Sequence, residues 1–141
     1  MPLTRKSLPK IDFRFVFERS RLKQLLLDPS FIILAVTDNY LAATMTRREN
    51  IVGHYLFEVF PDNPDHAAAD GVVNLRQSLV EVLNSRRPHQ MHTQRYDLRR
   101  PAGSGGGFET RFWQPVNWPI LDEKGFVQYI VHEVEDLTAP V

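Results

Sequence analysis

Phe108-Glu109-Thr110-Arg111-Phe112-Trp113-Gln114-Pro115-Val116-Asn117-Trp118 is the stretch on which the fold turns. It reads as a long strand, rich in aromatic and β-branched residues interleaved with polar ones. After it, Leu121-Asp122-Glu123-Lys124-Gly125 is a turn ending in glycine, and Phe126 to Glu135 is a further strand. Before it, Met91 to Arg100 is a strand that enters through Pro101-Ala102-Gly103-Ser104-Gly105-Gly106-Gly107, a flexible connection. Three successive strands joined by tight loops predict an antiparallel meander.

Upstream lies the clearest helix, Gly71 to Arg86, introduced by Asp70. Its Val72, Leu75, Leu79 and Val82 form one apolar stripe. Further back, Gln24 to Leu27 and Phe31 to Val36 flank Asp28-Pro29-Ser30, a hairpin whose turn proline presets. Thr37 or Asp38 then caps a helix through Tyr40, Leu41 and Met45, and Thr46-Arg47-Arg48-Glu49 reads as a capping box before Gly53. His54 to Phe60 fits either state, and Pro61 to Asp65 is a loop. Residues 1–10 form a loose lead-in. From Ile11 to Ser20 the alternation fits a strand and the charge grouping fits a short helix, which is preferred. The fold class is α+β, with one five-stranded sheet and helices on one face.

At 141 residues the chain is about one domain. It has no cysteine, which excludes disulfides, thiolate metal sites and cysteine nucleophiles. Seventeen cations balance seventeen anions, so nothing marks it for a phosphate backbone, and no nucleic-acid partner is expected. Its apolar runs are too short for a membrane span, and Pro9, Lys10 and Asp12 interrupt any signal-peptide pattern. A cytoplasmic protein is expected.

Taken in order, these pieces resemble a PAS domain, the sensor module of bacterial signalling proteins. The carrying segments are Leu25 to Tyr40 around Asp28-Pro29-Ser30, Thr46 to Gly53, Leu56-Phe57-Glu58-Val59-Phe60-Pro61, and the Asp122 to Gly125 turn. The last strand ends in Val134-Glu135-Asp136-Leu137-Thr138, similar to the Asp-Ile/Val-Thr motif at which many PAS domains hand over to an output helix. The resemblance implies an extension over residues 1–20, a sensor domain over 21–138 and the start of an output linker at 139–141. It implies strand order 2-1-5-4-3, with several short helices and one longer helix enclosing a pocket against the sheet.

It further implies a non-catalytic domain. A small ligand or a partner would shift its packing, and Glu135, Asp136 and Thr138 would relay the change to a C-terminal output module such as a histidine kinase. A ligand-free dimerisation module is the alternative. The family's flavin photoreceptors use a reactive cysteine, so the lack of cysteine excludes cysteinyl-flavin chemistry; the cofactor, if any, is unknown.

The residues offer no catalytic constellation. The glycines at 103–107 lack the Lys-Ser/Thr of a phosphate loop, and no Gly-x-Ser-x-Gly occurs. His54, His66, His89, His92 and His132 have no zinc-site spacing, so no metal site is expected. The long helix has no histidine to bind haem axially; His66 or His89 is the remaining haem candidate, ranked below ordinary surface or packed histidine. In the meander, Arg95, Tyr96, Arg111 and Trp113 are candidate pocket residues, the arginines suited to gripping a carboxylate in bidentate fashion. A sheet with one wet face, laced by Arg95–Asp97 and Arg111–Glu109 pairs, explains the same pattern and is preferred. Finally, Phe13, Phe15 and Phe17 precede the first strand and need a cover. A homodimer through them is expected, with Trp113 or Trp118 as sheet-side contacts; covering within one chain is the alternative.

Overall fold

The computed structural model describes residues 2–138. The linker expected at 139–141 lies outside them. Helix α1 (Phe13–Glu18) starts where the Asp12 carboxylate accepts the Phe15 N–H. Strands β1 (Gln24–Leu27) and β2 (Ile33–Val36) form the predicted hairpin. In its turn the Asp28 carboxylate accepts the N–H groups of Ser30 and Ile32. Phe31 occupies the left-handed position that glycine usually fills (φ 67°), with its ring buried edge-on against Phe57.

Thr37 caps α2 (Asp38–Thr44) by accepting the Tyr40 N–H. Helix α3 (Arg48–Ile51) follows without a side-chain cap. The expected capping box is therefore not formed: the Thr46 hydroxyl instead meets that of Thr44 at 2.8 Å. The ambiguous segment supplies α4 (Leu56–Val59). Helix α5 (Gly71–Ser85) buries Leu75, Leu79 and Val82 as its stripe predicts. Asp70 does not cap it through its side chain; the Asp62 carboxylate, from the preceding loop, accepts the Val72 N–H at 3.1 Å. Asp62→Ala is expected to destabilise the chain by about 1 kcal/mol in urea unfolding, the usual worth of such a cap.

The predicted third strand is broken. In its place stand β3 (His89–Gln90) and β4 (Gln94–Arg95), while β5 (Leu98–Arg99) leaves the sheet to pair with β6 (Phe108–Glu109) in a separate ribbon. Past β4, where the chain leaves the main sheet, buried Asp97 turns its carboxylate to Arg95, to Asn63 and to the Arg111 N–H. A short 3-10 turn over Ala102–Ser104 closes the ribbon through the predicted glycine loop. Strand β7 thus begins later and ends later than expected, at Phe112–Leu121, and β8 spans Val127–Asp136. Between them the Asp122 carboxylate accepts from Lys124 and Phe126, and Gly125 takes a left-handed φ of 86°.

The main sheet runs β2-β1-β8-β7-β3, with β4 beside β3 on the same edge of β7. With β3 and β4 sharing the place of one strand, this partly matches the expected 2-1-5-4-3 order; the sheet has six strands where five were expected, and β5 and β6 stand outside it. Helices α2 to α5 cover one face, where Leu25, Leu27, Ile33, Leu79 and Ile130 are fully buried. Helix α1 lies against β2, held by Arg14 to the Leu34 carbonyl (2.9 Å) and by Glu18 to Arg48 (2.9 Å). Among the described residues no helix is long and apolar enough to cross a membrane.

Candidate functional site

Alternation along β7 resolves which parity faces the helices. Trp113, Pro115 and Asn117 are buried, whereas Phe112, Gln114 and Ile120 are exposed. Trp113 and Tyr96 accordingly line an internal cavity of about 40 Å³ between sheet and helices. Helix α2 contributes Tyr40 and Thr44, α5 contributes Gly71 and Leu75, and β8 contributes His132 and Val134. Gly71 has a steric reason to be glycine: a Cβ there would sit 2.7 Å from the Tyr96 ring, so the ring lies directly on the helix start.

Most polar atoms around the cavity are already paired. The Trp113 indole N–H donates to the Tyr96 carbonyl (2.9 Å), and the Tyr96 hydroxyl donates to the Phe60 carbonyl. The Thr44 hydroxyl donates to the Tyr40 carbonyl at 2.8 Å. Burial pushes both tyrosine hydroxyls well above their ordinary range, so both stay neutral.

Arg95 and Arg111 do not reach the cavity. Arg95 grips Asp97 in bidentate fashion at 3.0 and 2.9 Å. Burial would raise the Asp97 carboxyl, but the hydrogen bonds from Arg95, Asn63 and the Arg111 N–H outweigh it and hold the group low. Arg111 is a clamp. Its guanidinium reaches Glu109 (2.7 Å), Asp136 (3.1 Å) and the Ala43 carbonyl at the end of α2 (3.1 Å). Asp136 in turn accepts the Thr138 N–H, and the Thr138 hydroxyl accepts the Phe112 N–H. Asp136 and Thr138, two of the three residues expected to relay a signal, are therefore in one network, and Glu135 is exposed beside it. The arginines are built to hold carboxylates, as the sequence suggests, but the carboxylates are the chain's own.

One feature of the site is absent from the sequence reading. His89, Asn117 and His132 stand directly opposite one another on β3, β7 and β8. His132 Nδ1–H donates to Asn117 Oδ1 (2.6 Å), Asn117 Nδ2 donates to Ser78 Oγ (2.8 Å), and the Ser78 hydroxyl meets His89 Nδ1 (2.6 Å). The Met91 sulfur, 3.6 Å from Asn117 Nδ2, fixes the amide orientation, because a thioether only accepts. Burial lowers His132 to about 4, so it is neutral near pH 7. Its position between Ile130 and Val134, two residues away on either side, is the sequence signal that marks it as inward. His66 sits in the loop before α5 and does not line the cavity. No cluster of three metal-binding side chains exists among the described residues.

Phe13 and Phe15 are largely exposed (74% and 51%), whereas Phe17 is half-buried. Phe13 and Phe17 border a groove on the sheet's second face with Leu26, Leu34 and Tyr129. Of the two tryptophans, Trp113 faces the core and Trp118 is half-buried on the α1 side.

No protein-family model matches the chain, and no curated protein does. Solved structures do match. The Rhodobacter sphaeroides LOV protein is 16% identical with a TM-score of 0.64, over 88% of this chain and 64% of that one. The chain thus spans a little under two thirds of that protein. The Drosophila melanogaster Cycle PAS-B domain, solved with bound ethylene glycol, is 13% identical with a TM-score of 0.62, over 82% of this chain and 100% of that one. A sensory box sensor histidine kinase from Vibrio cholerae is 15% identical with a TM-score of 0.56, over 91% and 90% of the two chains.

Proposed function

We propose that this chain, which has the PAS fold, is a cytoplasmic, non-catalytic sensory domain that takes a small ligand in the internal cavity and passes a change of packing to an output module such as a histidine kinase. The observation that carries this reading is the Arg111 clamp. Helix α2 lines the cavity with Tyr40 and Thr44 and offers the Ala43 carbonyl to Arg111; Arg111 also holds Asp136, at the end of β8. A ligand that displaces α2 has a direct mechanical route to Asp136 and Thr138. It acts as a signal to the extent that it binds one packing better than the other.

Native mass spectrometry of the purified chain, beside its absorption spectrum, is the test. A small mass released on denaturation is the expected result, with visible absorption if that mass is haem or flavin. The relay is tested separately by Arg111→Gln, expected to speed hydrogen exchange in α2 and at the end of β8 together. Faster exchange in only one of them would refute the coupling.

The small cavity, walled by Tyr40, Tyr96 and Trp113, supports a second reading as a ligand-free homodimerisation module. The exposed Phe13 and Phe15 would form its contact, next to the groove at Leu34 and Tyr129. A Phe13/Phe15/Phe17→Ser variant is expected to sediment as a folded monomer where the parent sediments as a dimer; equal masses would sink this interface.

A further inference from the structure

His89 and His132 are joined through the core by a chain of hydrogen bonds whose direction the chemistry fixes. Asn117 Nδ2 donates to the Met91 sulfur at 3.6 Å and to Ser78 Oγ at 2.8 Å, so the serine oxygen is an acceptor on that side. Ser78 is 2% exposed and makes no third hydrogen bond among the described residues. Its own proton therefore goes to His89 Nδ1, 2.6 Å away. In the neutral ring His89 Nδ1 is thus a bare acceptor, and the proton sits on Nε2. The chain runs from His132 Nδ1–H to Asn117, from Asn117 to Ser78 and from Ser78 to His89. His132 is buried at one end. At the other, His89 borders an open groove of about 530 Å³ between α5 and strands β3 and β4.

We propose that His89 is a pH-sensitive latch: a proton added at Nδ1 breaks the bond from the Ser78 hydroxyl, frees β3 from α5 and is felt at His132 through Asn117. The added proton comes from solvent, and Ser78 keeps its own. Two N–H donors then meet the serine oxygen while its buried hydroxyl has no acceptor, which costs more than the lost bond. The imidazolium is relieved by turning into the groove. Strand β3 yields readily, because only His89 and Gln90 pair it with β7. The charged and titratable groups around the ring are Glu81 on α5 and His92, both exposed in the same groove. In the preceding loop Arg86 stacks on Phe126 and Arg87 is exposed, while β7 presents the uncharged Asn117 and Val116. Glu81 is thus the anion that receives the ring once it has turned outward. This input needs no molecule in the internal cavity.

The test is nitrogen-15 NMR of the whole chain, with histidine rings and asparagine amides labelled, stepped from about pH 7.5 to about pH 5.5. That range stays above the value of about 4 at which His132 itself takes a proton. At the upper end His89 is expected to carry its proton on Nε2. As His89 gains its second proton, the Asn117 amide and the His132 ring are expected to shift in step with it. Protection of the Met91 N–H, bonded to the Pro115 carbonyl beside β3, is expected to fall at least about ten-fold. In His89→Gln all of these changes are expected to vanish. A neutral His89 with its proton on Nδ1 overturns the direction of the chain and with it the latch. So does a parent chain in which Asn117 and His132 stay unmoved while His89 is protonated. The same shifts persisting in His89→Gln would assign them to Glu81 or His92 and overturn it equally.

Discussion

Lowering the pH from 7 to 4 is expected to remove about 3 kcal/mol of folding stability through His132 alone. In the folded chain this imidazole is buried and held neutral, its pKa lowered from 6.5 to about 4 by desolvation. The groups against its ring, Tyr40 and Asn117, carry no charge that would favour the imidazolium. The unfolded chain therefore binds more protons than the folded one throughout the interval between these two values. Stability rises with pH inside that interval, is complete above it, and is lost as pH falls through it. At about 1.4 kcal/mol per pH unit, the interval yields the stated loss. The carboxylates held low by arginine, Asp97 and Glu109, act in the same direction but at lower pH, near and below the ordinary carboxylate range. Urea unfolding at half-unit steps, with an NMR titration of the ring, separates the two. A ring that titrates near 6.5, or stability that stays level from pH 7 to 5, would refute the assignment.

Trp113→Ala is expected to cost about 3–5 kcal/mol, the range for truncating a large buried aromatic. Trp113 is 5% exposed, and its indole N–H is the partner of the Tyr96 carbonyl. The substitution thus opens a hole in the core and leaves a backbone acceptor unpaired. Trp118→Ala, on the opposite face and half-exposed, is expected to cost far less. Urea unfolding of both variants is the check. Similar losses for the two would mean that the cavity side of the sheet contributes no more than the α1 side.

The architecture was legible where local chemistry and periodicity agreed. The Asp28-Pro29-Ser30 and Asp122 to Gly125 turns, the stripe on α5 and the paired β7 and β8 all announce themselves within ten or fifteen residues. The third strand misled because where it leaves the main sheet, past β4, Asp97 bonds to Asn63 and the Arg111 N–H, which are distant in sequence. The capping box failed because α3 starts one residue later than the box requires: Arg47 holds the cap position, and Thr46 precedes it and meets Thr44 instead. At the site, Tyr96 and Trp113 line the cavity while Arg95 and Arg111 bond to internal carboxylates. Position along a broken strand, not residue type, decides that split. His132 is a packed histidine, as preferred, but its place in a polar row with Asn117 depends on cross-strand register, which metal-ligand spacing does not reveal.

The polar row from His89 through Asn117 to His132 also has a consequence for assembly of the sheet. Sliding one of these strands past its neighbour by two residues would preserve the inward and outward alternation, so apolar packing alone penalises such an error weakly. Sliding β8 in this way would place Asn117 opposite Ile130 or Val134 and part the buried His132–Asn117 hydrogen bond. The row therefore acts as a key cut for a single alignment. Strand β3, only two residues long, has little else with which to find its place.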